Sequence, residues 1–260
     1  MKQYLLNVYI FLMFISGNIF SQVTSEQIHY GASSLSMAAS DIALPKTSWS
    51  AFVNAAGIAD QRGLTFVASS QSHFSQDFLS HSLFGVQFKH SKYGSFGISL
   101  ENSSVDYSGN NLATETAIGV HQGISLRSDR NSSFSVGYGL KSYTIDYGSS
   151  AGPSGDGSDG IKLGSLNAIG IDVSFLGSLG ERIRVGAKAL NINSPTIGNA
   201  NLATRLPQRA QIGLAYSPYD LVWTTAALNK SVGHPTNFSS GFSYGVQQNL
   251  FLRAGMQSSP

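Results

Sequence analysis

SSFSVGYGLK, residues 132–141, carries the pattern that decides the fold. Phe134, Val136, Tyr138 and Leu140 alternate with Ser133, Ser135, Gly137 and Gly139. A period of two is the mark of a β-strand with one apolar and one polar face. The same alternation recurs along almost the whole chain after residue 62. Phe96, Ile98 and Leu100 face one way, and Ser95, Gly97, Ser99 and Glu101 the other. Ile183, Val185, Ala187 and Ala189 alternate with Arg182, Arg184, Gly186 and Lys188. The polar faces are built from Gly, Ser, Gln and a few Arg or Lys, as in a watered or tightly filled lumen.

About eleven strands are expected on this pattern, near 62–70, 81–90, 95–101, 116–127, 132–146, 167–178, 182–191, 208–216, 220–228, 237–246 and 249–257. Several are longer than the ~5–6 residues usual in soluble sheets and match the 9–11 that cross a bilayer at a tilt. Their connections sort by parity. Those after strands one, three, five and seven are long, namely SQSHFSQDFLS, SSVDYSGNNLATE, the stretch around 148–160 and NSPTIGNANLATRLP. Those after strands two, four, six and eight are tight, namely SKYG, SDRN, SLG and SPYD. Outer-membrane barrels show this arrangement, with extended extracellular loops and short periplasmic turns, whereas a secreted β-sandwich has no reason to sort its loops. The fold class is all-β, a transmembrane antiparallel up-and-down β-barrel. An odd strand number cannot close a bacterial single-chain barrel, so residues 62–260 are expected to form a C-terminally incomplete one.

Composition agrees. Only 12% of residues are charged, about half the ~25% of ordinary soluble domains. With a net charge of +2 there is no polybasic surface for nucleic acid. The absence of cysteine excludes disulfides, thiol chemistry and Cys-ligated zinc. Six histidines are scattered with no zinc-helix spacing, and no cofactor or metal is expected. The chain opens MKQYLLNVYIFLMFISGNIFSQ, where Lys2 precedes an apolar run too short to span a membrane as a helix. Residues 1–21 read as a signal peptide cleaved before Gln22, placing the mature protein in the outer membrane of a Gram-negative bacterium. Residues 22–61 are rich in small and apolar residues without alternation and read as an N-terminal hatch, or plug, with Trp49 as a packing anchor.

Chemical motifs concentrate in GSSAGPSGDGSDG, residues 148–160. Gly148 to Gly152 spells G-x-S-x-G, and Gly155, Gly157 and Gly160 spell G-x-G-x-x-G. A nucleophile elbow needs a strand-to-helix turn, and a dinucleotide fingerprint needs a βαβ unit; neither is in prospect here. Asp156 and Asp159 offer hard oxygen ligands for calcium, yet a single nonapeptide copy cannot build the stacked coil that uses them. The matches reflect low complexity in an outer loop, and the protein is expected not to be an enzyme. The charged residues Arg182, Arg184, Lys188 and Arg253 are placed on lumen-facing positions. There they either attract an anionic ligand or pair with Glu101 or Asp172 and brace the interior. Trp223 and Tyr244 read as lipid-facing girdle residues.

Gly31-Ala32, Met37, Ala43 and Asn54-Ala55-Ala56-Gly57-Ile58-Ala59 resemble the N-terminal pattern of the FadL-like barrels, particularly the PorV/PorQ-like group. Ala55 replaces the usual proline of the turn, and Ala38 stands where glycine is common. Leu206-Pro207, Gly213, Tyr216, Pro218, Gly241, Tyr244, Arg253 and Gly255 match the late strands. The resemblance implies about fourteen strands when complete, with Asn54, Ala56 and Gly57 forming the hatch turn. It also implies one of two functions. A PorV/PorQ-like accessory barrel of type IX secretion would engage exported proteins or a secretion machine. A FadL-like transporter would pass hydrophobic small molecules across the outer membrane.

Overall fold

A computed structural model describes residues 30–258 except residues 46, 73–77, 108, 151, 156–157, 199–202 and 248–249. The expected signal peptide and the first hatch residues lie outside this set. Eleven antiparallel strands form one sheet in which each strand pairs with its neighbours in the chain. They are β1 (Thr65–Ser72), β2 (Leu79–His90), β3 (Gly94–Tyr107), β4 (Asn110–Ser128), β5 (Ser132–Asp146), β6 (Ser165–Leu179) and β7 (Ile183–Leu190). After a two-stranded insert, β8 (Thr196–Ile197) with β9 (Thr204–Arg205), follow β10 (Arg209–Tyr216), β11 (Val222–Ser231), β12 (Thr236–Gln247) and β13 (Leu250–Gln257). Among the described residues β1 and β13 each pair on one side only.

The alternation of residues 132–141 is realised in β5. Phe134, Tyr138 and Leu140 lie on the exposed face, while Ser135, Gly137, Gly139 and Lys141 point inward and are buried. The pleat sends successive side chains to opposite faces, and the curvature of the sheet makes one face concave. The convex face is apolar over its whole sweep, from Phe84 and Ile98 through Val120 and Ile169 to Leu214 and Phe242.

One loop expectation is corrected. Residues 102–115, expected as a long loop, belong mostly to strand: Tyr107 pairs with Asn110, and the ladder runs on from Val105 opposite Ala113. β4 thereby reaches 19 residues. The backbones of this polar hairpin satisfy each other across the ladder, which a composition-based loop assignment overlooks. The connection after β7 also departs from a simple external loop. Ile197 and Leu206 fold inward and are 2% and 1% exposed, packed with Ala117, Tyr143, Ile145 and Ala168.

The segment expected as a hatch lies, over its described residues, within the concave face. It comprises α1 (Gly31–Ser36), a 3-10 turn (Asp41–Ala43), α2 (Ser50–Val53) and a second 3-10 turn (Ala55–Asp60). The segment α1 rests against both β1 and β13. Gly31 has φ +72, and a Cβ there would meet Trp49 at 2.5 Å, so both backbone and packing require glycine. Ala38 has φ 52, a left-handed conformation, which gives a physical reason why glycine suits this position.

Candidate functional site

The hatch is held by a seat made from the inward faces of the strands. A side chain at Gly97 would meet Ile58 of the hatch at 2.9 Å, and one at Gly123 would meet the Ala55 carbonyl at 2.7 Å. At Gly137 a Cβ would fall inside the envelope of the Ala56 nitrogen, and at Gly186 it would strike the Ile42 carbonyl at 2.5 Å. These glycines occupy the polar face that reads in sequence as a lumen lining. They leave room for the hatch backbone itself to approach the wall.

Asn54, Ala56 and Gly57 fasten the hatch in this seat. Asn54, 3% exposed, caps the second 3-10 turn by accepting from the Ala56 N–H at 3.1 Å. Its amide donates to the carbonyls of Ile42 at 2.9 Å and Phe175 on β6 at 3.1 Å. The Ala56 N–H also donates to Ser174 Oγ at 3.0 Å. Gly57 leaves space for Ser50, whose Oγ a Cβ would approach to 2.9 Å.

Above this turn, the middle of the lumen is filled by charged and polar side chains. Lys141 Nζ donates to Glu101 Oε1 at 2.7 Å, both largely buried. His121 meets Ser99 at 2.8 Å, and His81 bonds Ser103. Tyr30 packs against Phe52 with tilted rings whose centroids are 5.7 Å apart. A small cavity of about 20 Å³ lies there, bordered by His121, Lys141, Asp172, Lys188 and the hatch segment Ala51–Ala55. That is room for about one water molecule.

The four cations singled out from sequence do not form one cluster. Arg184 pairs with Asp60 of the hatch at 3.3 Å. Lys188 reaches the Phe52 carbonyl at 3.5 Å, with its ammonium 5.1 Å from the Tyr30 ring centre. Arg253 lies over the ring of its neighbour Phe251, 4.8 Å from the centroid. Arg182 stands apart: it is exposed in the turn before β7 and donates to the Pro218 carbonyl at 2.9 Å. Glu101 is engaged by Lys141, a partner outside that set, and Asp172 accepts from the Asn191 backbone at 2.9 Å.

Open space lies at the short-turn end. A vestibule of about 760 Å³ is bordered by Asp60, Arg62, Arg130 and Arg184, together with Pro45 and Trp223. A second cavity, of about 350 Å³, lies between the hatch and the wall beside β13. Leu44, Pro45 and Trp49 of the hatch face Trp223, Phe251 and Arg253 of the wall across it. Its volume is that of a small-molecule site, which typically measures ~300–1,000 Å³. Asp41 borders it too, taking a hydrogen bond from Ser34 at 3.1 Å, and burial raises its carboxyl above the ordinary range. Trp223 therefore faces inward, on the same face as Thr225 and Ala227, not toward lipid as expected. Val222 and Trp223 are both apolar, so local periodicity leaves the phase ambiguous at the start of β11. Tyr244 is on the outward face, as expected.

In the 148–160 loop, Ser149 bridges to Lys162, and Asp159 accepts from Ser154 Oγ at 2.6 Å. Asp156, the other acidic residue considered for calcium, lies outside the described residues. Among the described residues no cluster of three or more His, Cys, Asp or Glu has the spacing of a metal site.

No protein-family model matches the sequence, and no curated protein matches it. Among solved structures, the chain is similar to the "TodX monoaromatic hydrocarbon channel deltaS2 mutant". That match has a TM-score of 0.54 at 13% identity, covering 90% of this chain and 84% of that one. It is also similar to the Pseudomonas putida toluene transporter TodX, with a TM-score of 0.54 at 12% identity over 89% of this chain and 83% of that one. At such identity the likeness establishes the fold: this chain has the antiparallel β-barrel architecture of those channels.

Proposed function

We propose that the protein is a non-enzymatic outer-membrane barrel of FadL-like type that passes apolar small molecules through a hatch–wall pocket. The observation that carries this is the cavity of about 350 Å³ in which Leu44, Pro45 and Trp49 face Trp223 and Phe251. These apolar side chains favour an apolar ligand by removing its surface from water, at roughly 25 cal/mol per Å², while Ser33, Asp41, Thr47, Ser48, Ser243 and Arg253 make the rest of the wall polar. The likeness of fold to a hydrocarbon channel and a toluene transporter supports the same reading. The convex apolar face supports contact with outer-membrane lipid.

The Glu101–Lys141 pair and the inward-folded Ile197 and Leu206 occupy lumen space above the hatch. The secretion-accessory reading draws on Asn54, Ala56 and Gly57, but their bonds are those of a hatch seat, which either function requires. The pocket is what favours transport.

The test is uptake of radiolabelled toluene and of a linear alkane by cells with and without the gene, together with the secreted proteome. Transport predicts slower uptake of at least one compound in the deletion strain and unchanged secretion. Normal uptake with exported proteins retained in the periplasm would replace it with the accessory reading.

A further inference from the structure

The hatch–wall pocket has two chemically distinct sides. Trp49, Trp223 and Phe251 offer aromatic surface, while Asp41 of the hatch and Arg253 of β13 bring opposite charges to the same cavity. Strand register places them there. Met37 and Ser40 of the hatch sit on Gly255 and Gly241, where a Cβ would overlap them, and Ser40 bonds Thr225 at 2.6 Å. Asp41 follows Ser40 directly in the chain. Arg253 and Ser243 are the next inward positions along β13 and β12, opposite each other in the ladder.

Opposite charges poorly reached by water gain most by pairing. Asp41 and Arg253 do not pair. Asp41 is 3% exposed and takes its hydrogen bond from Ser34. Among the described residues Arg253 has no ion pair, and its Nε is buried without a hydrogen-bond partner. Ser33 Oγ, of a residue on the same cavity, is also buried and unpartnered. Yet Arg253 is near enough to favour the ionised form of Asp41. A bare hydrocarbon in this cavity covers these polar groups and leaves them unsatisfied, a penalty that a polar substituent removes. We infer that the pocket selects small aromatic molecules bearing a neutral hydroxyl, the ring against the tryptophans and the hydroxyl between Arg253 and Asp41. This names the substrate class of the transport reading and rests on it. A hydroxyl accepts from the guanidinium and donates to the carboxylate at once. The two charges cancel, so a carboxylate head gains from Arg253 what it loses to Asp41.

Equilibrium dialysis of the full chain in detergent micelles against radiolabelled toluene, p-cresol and p-toluate tests this, with uptake by empty micelles subtracted. Native protein is expected to bind p-cresol more tightly than toluene or p-toluate, by about tenfold or more. Arg253→Met is expected to bring p-cresol to within about threefold of toluene. Asp41→Asn leaves Arg253 unopposed and is expected to place p-toluate ahead of p-cresol. Heat-modifiable migration on gels reports whether each variant holds its barrel, and Asp41→Asn serves if Arg253→Met does not fold. Equal affinity for toluene and p-cresol in native protein, or an order of ligands unmoved in the folded variants, overturns the hydroxyl site but leaves transport standing. Native protein that prefers p-toluate overturns the neutral head in the same way. No saturable binding of any of the three overturns the transport reading and this site with it.

Discussion

Asn54 of the hatch donates through Nδ2 to the Phe175 carbonyl of β6 at 3.1 Å, joining positions 121 apart in the chain. The bond falls where a strand carbonyl would otherwise stay paired only within the sheet. Asn54 is therefore secured to the wall through a main-chain carbonyl, beside the side-chain hold of Ser174 Oγ on the Ala56 N–H.

Asn54→Ala removes two donated bonds and one accepted cap bond in a buried setting. Each buried group left unpaired costs roughly 1–3 kcal/mol, so the local loss is about 3 kcal/mol. Amide exchange of residues 50–60 is expected to speed up on the order of 100-fold while strand amides keep their protection. Equal loss of protection in hatch and strands would show that Asn54 supports the barrel as a whole.

Gly137 on β5 faces the Ala56 nitrogen with no space for a side chain. Gly137→Val is expected to lift the second 3-10 turn from the wall and expose it to protease, with the barrel intact. Gly177→Ala makes the control on the outward face, since its nearest contact would be Phe134 at an ordinary 3.9 Å. Unaltered proteolysis of Gly137→Val would mean that the hatch is not seated on this glycine.

Glu101 and Lys141 pair at 2.7 Å with side chains 11% and 5% exposed. Removing one partner strands a buried charge and costs about 3–5 kcal/mol, whereas replacing both with apolar residues is close to neutral. Denaturant unfolding of Glu101→Leu, Lys141→Leu and the double variant checks this. The double variant is expected to be more stable than either single one; additive losses would show that the two charges act independently.

Asp41 gives the hatch a pH dependence. Burial raises its carboxyl above its ordinary value of 3.8, so the folded hatch holds that proton more tightly than the unfolded chain. This contribution is fully present below about pH 3.8 and is lost as the pH rises through the higher folded value. Asp41→Asn keeps an acceptor for Ser34 and stays neutral. In a Trp223→Phe background, which leaves Trp49 as the single tryptophan, fluorescence during denaturation is expected to show the Asp41→Asn hatch more stable than that of its parent at neutral pH and equal to it near pH 3. A gap between the two that is independent of pH would exclude Asp41 as the source.

The strands were legible because a period of two is a local consequence of the pleat, visible in any ten residues such as 132–141. The inward placement of Ser135, Gly137 and Gly139 followed directly from it. The stretch ahead of the strands is set off in the sequence by its small residues and lack of alternation, whereas the turn at Asn54–Gly57 is expected only through the family resemblance. Partnership across the lumen was not legible. Glu101 and Lys141 stand 40 positions apart, and only the curvature and register of β3, β4 and β5 set them face to face. Nor does the sequence distinguish a glycine that lines water from one that seats a hatch, since both satisfy the same alternation. Trp223 shows the limit most plainly. Its neighbours leave the strand phase undecided, and pairing of β11 with β10 and β12 turns the indole toward Pro45. Sequence alone set the barrel wall, through local backbone geometry; the pocket exists only where separate segments converge, which tertiary structure decides.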